Sequence, residues 1–200
     1  MCDEIIEFDK HLCDSCNHEL EFDTIVRFIP YQRTDEVIRC ISYFRYRSKL
    51  RNAILRFKFS GHKEYARIFA KIISEKIFEN CRIEKFDYIC AVPLSEKRIL
   101  ERGYNQSELL AQEISKILNI PVANVIEKPH ETFIQHELSA EERSKNLLGA
   151  FSIIKGSDVR GKNFILCDDI ITTGNTLKEC VKVLKDHGAN EILCCTIASI

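Results

Sequence analysis

The sequence lacks any long apolar run: nothing in it approaches the ~18 apolar residues that a membrane-spanning helix needs. The first ten residues are acidic, unlike the basic start of a secretory signal peptide. These absences predict a cytoplasmic protein with no transmembrane segment. We therefore expect the 10 cysteines to be reduced thiols or metal ligands, because disulfides are rare in that compartment.

Two common phosphate-binding motifs are also missing. No G-x-G-x-x-G sequence precedes a predicted helix, which argues against a dinucleotide-binding fold, and no lysine follows Gly174, which argues against a P-loop NTPase. No helix-turn-helix segment, internal repeat or low-complexity linker is evident. The 45% hydrophobic content suffices for one α/β core of about 150 residues with a small appendage.

The most informative segment runs from residue 164 to residue 176. Four apolar residues, Phe164–Cys167, predict a buried strand, and Asp168 and Asp169 stand at its carboxyl end. A Thr/Gly loop then opens a predicted helix, whose free N–H groups and positive dipole end favour a phosphate. The two carboxylates suit neutral hydroxyls, so we interpret them as a clamp on a ribose whose 5′-phosphate sits in the loop. The alternative is a polar strand end followed by an ordinary helix cap. The predicted phosphate-loop residues are Ile171, Thr172, Thr173, Gly174, Asn175 and Thr176.

Strands and helices alternate along the rest of the chain. This order predicts an α/β fold with a mainly parallel sheet and helices on both faces. Ligands bind such sheets beyond the carboxyl ends of the strands, where Asp168 and the residues after Val92 both fall. The predicted strands are Tyr88–Val92, Val122–Ile126, Phe151–Ile154, Asn163–Cys167 and Ile192–Ile197. The predicted helices are Lys49–Phe59, Lys63–Phe78, Ser107–Leu118 and Thr176–His187.

Two further groups of polar residues follow predicted strands. A single arginine on an exposed turn is usually a surface charge, but the shared position of these residues between strands favours a ligand site. The first group is Leu94, Lys97, Arg98, Arg102, Gly103, Asn105 and Gln106. The second group contains Thr132, Gln135, Arg143 and Asn146. Their spacing indicates a folded segment between two strands rather than one helix.

With these patterns the sequence resembles the ComF (ComFC-like) competence family, whose members carry a type I phosphoribosyltransferase domain. The resemblance covers residues 43–200 and leaves residues 1–42 as a small amino-terminal segment. Its motifs are Lys58-x2-Gly61, Val92-Pro93-Leu94, Arg102–Gln106, Thr132–Phe151 and Asp168–Thr176.

The resemblance implies binding of 5-phosphoribosyl-1-pyrophosphate (PRPP) together with Mg²⁺. Asp168 and Asp169 would hold the ribose hydroxyls and the residues from Ile171 to Thr176 the 5′-phosphate. Leu94, Lys97 and Arg98 would face the pyrophosphate. The side chains expected to stabilise the leaving pyrophosphate are Arg98, Arg102 and Arg143.

Two functions follow from the resemblance. One is a role in natural competence, in which the protein assists uptake or handling of transforming single-stranded DNA. Competence DNA-uptake proteins would be its partners, and through them it would lie at the inner membrane. The alternative is an active phosphoribosyltransferase that transfers ribose 5-phosphate to a nucleobase or another nitrogen acceptor. The basic, aromatic-rich stretch from Arg39 to Arg67 fits either a DNA-binding surface or a solvated face with its aromatic residues turned inward.

The amino-terminal cysteines suggest a zinc knuckle of the kind that the family commonly carries. Here Cys13-x2-Cys16 is the intact pair and Cys2 precedes it. Tetrahedral zinc needs four nitrogen or sulfur ligands, so a fourth would come from His11, His18 or Cys40. Ordinary side chains of a decayed knuckle are the alternative.

Overall fold

A computed structural model describes residues 13–14, 22–30, 37–129 and 149–200 of the chain. The strands are β1 (Phe22–Pro30), β2 (Val37–Arg45), β3 (Tyr88–Ala91), β4 (Ile126–Glu127), β5 (Ser152–Ile153), β6 (Phe164–Ile171) and β7 (Ile192–Ser199). The helices are α1 (Ser48–Phe59), α2 (Tyr65–Asn80), α3 (Glu96–Arg102), α4 (Gln106–Leu118) and α5 (Asn175–Asp186), with a 3₁₀ turn at Ile83–Lys85. Within the described ranges no helix is long and apolar enough to cross a membrane.

The main sheet has five strands in the order β1-β2-β7-β6-β3. Strands β2, β7, β6 and β3 are mutually parallel, and β1 pairs antiparallel with β2. The predicted mainly parallel sheet is therefore confirmed. Because parallel strands share their direction, β2, β6 and β7 all end at one edge of the sheet, together with the start of α5.

Both faces of the sheet are covered by helices, as predicted. The alternation along β6 shows how: Phe164 and Leu166 pack with α5, whereas Ile165 and Cys167 pack with α1, α2 and α4. Helix α5 buries Leu177, Val181 and Leu184, the apolar positions that the sequence predicts for one face of this helix. Full burial on both faces explains why β6 is a continuous apolar run rather than an alternating one.

Two predicted strands were wrong in extent and placement. Residues 122–126 form no strand of the main sheet: Val122 makes an isolated bridge with Ile89, and β4 begins only at Ile126. Strand β5 pairs with β4 in a separate two-stranded sheet. Val125 and Ile126 pack against α5. The hydrophobicity of this segment therefore indicates that it is buried, but not that it is a strand of the main sheet.

Strands β1 and β2 had no counterpart among the predicted elements. Strand β2 lies on both sides of position 42/43, the expected boundary of the amino-terminal segment, and pairs with β7. Its Ser42 hydroxyl lies 2.6 Å from that of Thr196, so two buried polar groups satisfy each other across the strands. The division of the chain at that boundary remains a prediction.

Candidate functional site

Two adjacent carboxylates lie in the second half of β6, because the strand continues to Ile171, beyond the end predicted at Cys167. Both Asp168 and Asp169 are half-buried. The Asp169 carboxylate lies 2.9 Å from the ammonium of Lys58, in the last turn of α1. The Asp168 carboxylate accepts a 3.0 Å hydrogen bond from the Ser107 hydroxyl and a 2.8 Å bond from the Asp169 backbone N–H. Helices α1 and α4 therefore both contribute side chains to the acid pair.

Burial and the neighbouring charge of Asp169 raise the pKa of Asp168 to about 7. The hydrogen bonds from Ser107 and the Asp169 backbone and the charge of Lys58 oppose this shift without cancelling it. Lys58 offsets the charge of Asp169, and a ligand hydroxyl or a hard cation such as Mg²⁺ would stabilise the ionised form of Asp168. The pair is suited chemically to ribose hydroxyls accompanied by a metal ion.

The segment that follows α3 makes hydrogen bonds to the last turn of α1, which carries Lys58. The Tyr104 hydroxyl donates to the carbonyl of Phe57, and the Gln106 side chain donates to the carbonyl of Lys58 at 3.3 Å. Both carbonyls belong to the last turn of α1, where carbonyls lack partners within the helix. These contacts fix the end of α1 and thus the lysine that faces Asp169.

Asn105 connects the carboxyl end of β3 to the start of α4. Its side chain donates to the carbonyl of Val92 at 3.0 Å and accepts from the backbone N–H of Ser107 at 3.0 Å, which makes it the N-cap of the helix. Gly103 precedes it with a φ of +78°, a left-handed conformation that ends α3 and favours glycine. The cap orients Ser107 toward Asp168.

The predicted phosphate loop joins β6 to α5. Gly174 has a φ of +80°, a left-handed backbone conformation that favours glycine. Thr172 and Thr173 are exposed, and the Asn175 N–H donates to the Thr173 hydroxyl at 3.5 Å. A shallow cavity at this loop is lined by Asp168, Ile170, Ile171, Thr172, Gly174, Asn175, Thr176 and Leu177. Asp168 and the loop thus line one cavity, and their assignment to a ribose phosphate remains a prediction.

Sequence reasoning missed Arg27 of β1 as a neighbour of this loop. Its guanidinium donates to the carbonyl of Thr172 at 2.7 Å and also to the carbonyl of Ile200. Arg27 and Thr172 are far apart in the sequence, so no local sequence pattern predicts their contact. Ser107 and Lys58 also belong to the acid pair; of these, Lys58 stood in a family motif, whereas Ser107 had no assigned role.

Among the cations after β3, Arg102 lies within electrostatic reach of the acid pair. Arg102 donates to the Gln106 side chain at 2.9 Å, and its guanidinium stacks 4.9 Å from the ring centre of Phe59. Burial and the charge of Arg98 lower the pKa of Arg102, while the charge of Asp169 opposes that shift. Leu94 and Arg98 are half-buried and Lys97 is exposed. Their predicted roles toward pyrophosphate remain predictions, and Thr132, Gln135, Arg143 and Asn146 lie outside the described residues.

The basic stretch has most of its aromatic residues turned into the core. Tyr43, Phe44 and Phe57 are each at most 2% exposed, so they are unavailable for stacking with bases. Phe59 is 64% exposed but lies beside Arg102. The exposed cations of the stretch include Arg45, Arg47, Arg51 and Arg67. The exposed surface of this stretch therefore carries arginine charges but few aromatic rings on which bases could stack.

Zinc finds no support in the described part of the chain. No group of three or more His, Cys, Asp or Glu residues there is arranged to hold a metal. Cys13 is buried and forms no disulfide, and Cys2 and Cys16 lie outside the described residues. Cys40 packs in the core of β2, where burial raises the pKa of its thiol to about 12, the opposite of what a thiolate ligand needs.

Comparison with protein families places a known domain over this site. The family model described as "Phosphoribosyl transferase domain" matches residues 104–199. That range contains α4, β6, the phosphate loop and α5. The match agrees with the arrangement above, in which a parallel strand, an acid pair and a Thr/Gly loop precede a helix.

Curated relatives cover more of the chain. It is 30% identical over 193 residues to the DNA utilization protein YhgH of Escherichia coli O157:H7, covering 94% of this chain and 84% of the relative. It is 36% identical over 144 residues to Competence protein F of Haemophilus influenzae, covering 70% of this chain and 63% of the relative, less than two thirds of its length. Competence protein ComFC of Bacillus subtilis is 27% identical over 184 residues, with 89% and 73% covered.

Among solved structures, similarity extends to phosphoribosyltransferases. The purine phosphoribosyltransferase of Pyrococcus horikoshii gives a TM-score of 0.40 at 21% identity, covering 66% of this chain and 70% of that one. The glutamine PRPP amidotransferase of B. subtilis gives 0.47 at 18% identity, covering 71% and 30%. Through the curated relatives and the matching domain, the chain belongs to the ComFC-like family of competence and DNA utilization proteins with a phosphoribosyltransferase domain.

Proposed function

We propose that this protein binds PRPP with Mg²⁺ and acts in natural competence, where it assists the uptake or handling of transforming single-stranded DNA. The observation that carries the first half is the position of the acid pair beside the phosphate loop. Relatives named for competence and DNA utilization support the second half.

In this proposal each part of the cavity has one role. The N–H groups at the start of α5 and the Thr172 and Thr173 hydroxyls bind the 5′-phosphate, helped by the absence of any acid in the first turn of the helix. Asp168 and Asp169 accept hydrogen bonds from the ribose hydroxyls. The acid pair would hold the Mg²⁺ that accompanies PRPP, because its oxygen donors are of the hard kind that this ion prefers.

The competence role places the protein in a nucleic-acid pathway at the inner membrane through partner proteins. Three exposed arginines between the end of β2 and the first turns of α1, Arg45, Arg47 and Arg51, would contact phosphates of single-stranded DNA. Because the aromatic residues of this stretch are largely buried, we propose that the contact is mainly electrostatic and insensitive to base sequence.

A phosphoribosyltransferase reaction is the second candidate. Arg102 favours it, since a half-buried guanidinium within electrostatic reach of Asp168 and Asp169 is placed to stabilise the charge that develops on a leaving pyrophosphate. Pyrophosphate release from PRPP and Mg²⁺, measured with a panel of nucleobases and single-stranded DNA, tests it. Release that depends on an acceptor and falls at least 100-fold in Arg102→Gln would establish the enzyme.

Calorimetry with PRPP and Mg²⁺ tests the binding site. Asp168→Asn with Asp169→Asn should weaken PRPP more than tenfold, since hydrogen bonds to charged groups contribute roughly 1.5–3 kcal/mol each. Asp158→Asn, which removes an exposed carboxylate remote from the loop, is the matched control and should leave the affinity unchanged. Equal affinities for wild type and the double variant would overturn the site assignment.

A further inference from the structure

The aromatic ring of Phe59, the last residue of α1, is exposed beside the candidate site. Phe59 is 64% exposed, whereas Phe57 of the same turn is fully buried. Between them, Lys58 forms the ion pair with Asp169. A single exposed apolar side chain is ordinary on a protein surface, so the neighbours of this ring decide whether it has a function.

Arg102 contacts the ring and holds it in place. The central carbon of the Arg102 guanidinium lies 4.9 Å from the centre of the Phe59 ring. The same guanidinium donates to the side chain of Gln106, a residue that is only 1% exposed. Because a buried amide fixes the arginine, the cation–π contact fixes the ring in turn. A ring that is positioned in advance loses little conformational entropy when a ligand stacks on it.

The same contacts connect the ring to the acid pair. The Gln106 side chain also donates to the carbonyl of Lys58, at 3.3 Å. The Lys58 ammonium lies 2.9 Å from the Asp169 carboxylate, and the charge of Arg102 is within electrostatic reach of that carboxylate. Phe59 and Asp169 therefore share two neighbours, Lys58 and Arg102.

A second exposed apolar side chain lies beside Arg102 on α3. Ile99 precedes Arg102 by three residues, on the same face of the helix, and it is 41% exposed. Phe59 and Ile99 thus place apolar surface next to a half-buried guanidinium. Proteins bind nucleobases with this combination of aromatic ring, guanidinium plane and apolar side chain.

We propose that the Phe59 ring is a stacking platform for a heterocyclic base, which lies on the part of the ring that Arg102 leaves open. The inference deepens the proposed function and rests on it, because it takes the acid pair as the holder of the ribose. In a nucleotide the base is bonded directly to the ribose. A ribose held by Asp168 and Asp169 therefore brings its base to the groups that surround the acid pair.

The contacts around the ring predict weak discrimination among bases. The side-chain oxygen of Gln106 already accepts from Arg102, and its nitrogen already donates to the Lys58 carbonyl. Stacking alone uses the π face that every base has. We therefore expect purines and pyrimidines to bind alike. A free nucleotide and the bases of single-stranded DNA share this chemistry.

Fluorescence of a Phe59→Trp variant tests the platform directly, because the chain contains no tryptophan of its own. Adenosine 5′-monophosphate (AMP) should quench the indole emission saturably, since the stacked base contacts the indole ring. Phe78→Trp, which replaces an exposed phenylalanine of α2, is the matched control and should show no saturable quenching. No saturable quenching in Phe59→Trp, or equal quenching in both variants, would overturn the proposal.

Calorimetry then measures the contribution of the natural ring. Wild type should bind AMP at least about fivefold more tightly than ribose 5-phosphate, the low end of what stacking on an aromatic side chain contributes. Phe59→Ala should abolish this difference without changing the affinity for ribose 5-phosphate, and Phe59→Tyr should retain it. Wild type that fails to bind ribose 5-phosphate would contradict the ribose site. Equal affinities of wild type for AMP and ribose 5-phosphate would instead contradict the platform alone.

The fluorescence titration also separates the two sources of the base. AMP and a short oligodeoxyadenylate are compared on Phe59→Trp at equal concentrations of adenine. Tighter binding of the oligomer assigns the platform to single-stranded DNA. Binding of AMP that is as tight or tighter assigns it to a free nucleotide.

Discussion

The Lys58 ammonium lies 2.9 Å from the Asp169 carboxylate, and this ion pair joins the end of α1 to the end of β6. Side-chain exposure is only 16% and 13% for the two partners, so water screens the pair weakly. The lysine thereby lets two adjacent carboxylates coexist at the end of one strand. Removing it would leave the two acids without an ion-pair partner among the described residues, with only the charge of Arg102 within electrostatic reach.

Lys58→Met should lower the free energy of unfolding by about 2 kcal/mol, because it leaves a largely buried carboxylate unpaired. Urea denaturation at pH 8 measures this change. Lys76→Met is the matched control: Lys76 pairs with Glu79 at 2.7 Å, but Glu79 is 56% exposed, so its loss should cost less than about 0.5 kcal/mol. Equal losses in the two variants would contradict a stabilising role for the Lys58 pair.

The raised pKa of Asp168 predicts a specific pH dependence. The folded state holds this proton up to about pH 7, whereas the unfolded state releases it near the ordinary value of 3.8. The contribution of Asp168 to stability is therefore fully present below pH 3.8 and is lost as the pH rises through 7. Asp168→Asn removes this pH-dependent contribution. The free energy of unfolding of the variant, relative to that of wild type, should therefore rise by about 2 kcal/mol between pH 5 and pH 8.

Chemical denaturation at a series of pH values, with wild type and Asp168→Asn side by side, measures that gain. Asp158→Asn controls for the loss of a surface carboxylate. Parallel curves for wild type and Asp168→Asn across this range would show that Asp168 does not titrate near neutrality.

Binding of single-stranded DNA should be salt-dependent and should rely on the exposed arginines. Changing Arg45, Arg47 and Arg51 to Ala should lower the slope of log affinity against log salt by about one unit per contacting residue. PRPP affinity should stay unchanged, and transformation of the host by exogenous DNA should fall. Arg82→Ala serves as the control. Absence of binding at low salt would favour the phosphoribosyltransferase reaction over DNA handling.

Zinc at Cys2, Cys13 and Cys16 remains a prediction that metal analysis can decide. If these thiols hold the ion, purified protein should contain about one equivalent, and Cys13→Ser should lose it because a three-ligand site is left open. Cys81→Ser removes a half-buried thiol at the end of α2 and should retain the metal. Metal-free wild-type protein that is otherwise folded would identify a decayed knuckle.

The elements that the sequence predicted best are those whose signals are local. The run from Phe164 onward contains a buried strand where expected, followed by a glycine with positive φ, but the strand continues through the acid pair to Ile171 instead of ending at Cys167. Helix α5 keeps a single apolar stripe from Leu177 to Leu184, which no tertiary context overrides.

Strand β2 shows why the rest was missed. Arg39, Ser42 and Arg45 interrupt its apolar residues, so the segment resembled a basic surface rather than a central strand. Ser42 is tolerated there because it pairs with Thr196, about 150 residues away, and such a partner is invisible to a local pattern. The contact of Arg27 with the phosphate loop is hidden for the same reason.

Because β2 and β6 both pair with β7, the sheet cannot close until residues 192–199 have left the ribosome. Until then the nascent β1–β2 hairpin presents an open edge, with residues such as Ile41 and Phe44 that are fully covered in the finished fold. Pairing of β2 with β7 over so great a sequence separation is slow, and during that time the exposed apolar strands can pair wrongly. We expect chaperones that bind apolar nascent strands to influence the yield of this protein in cells.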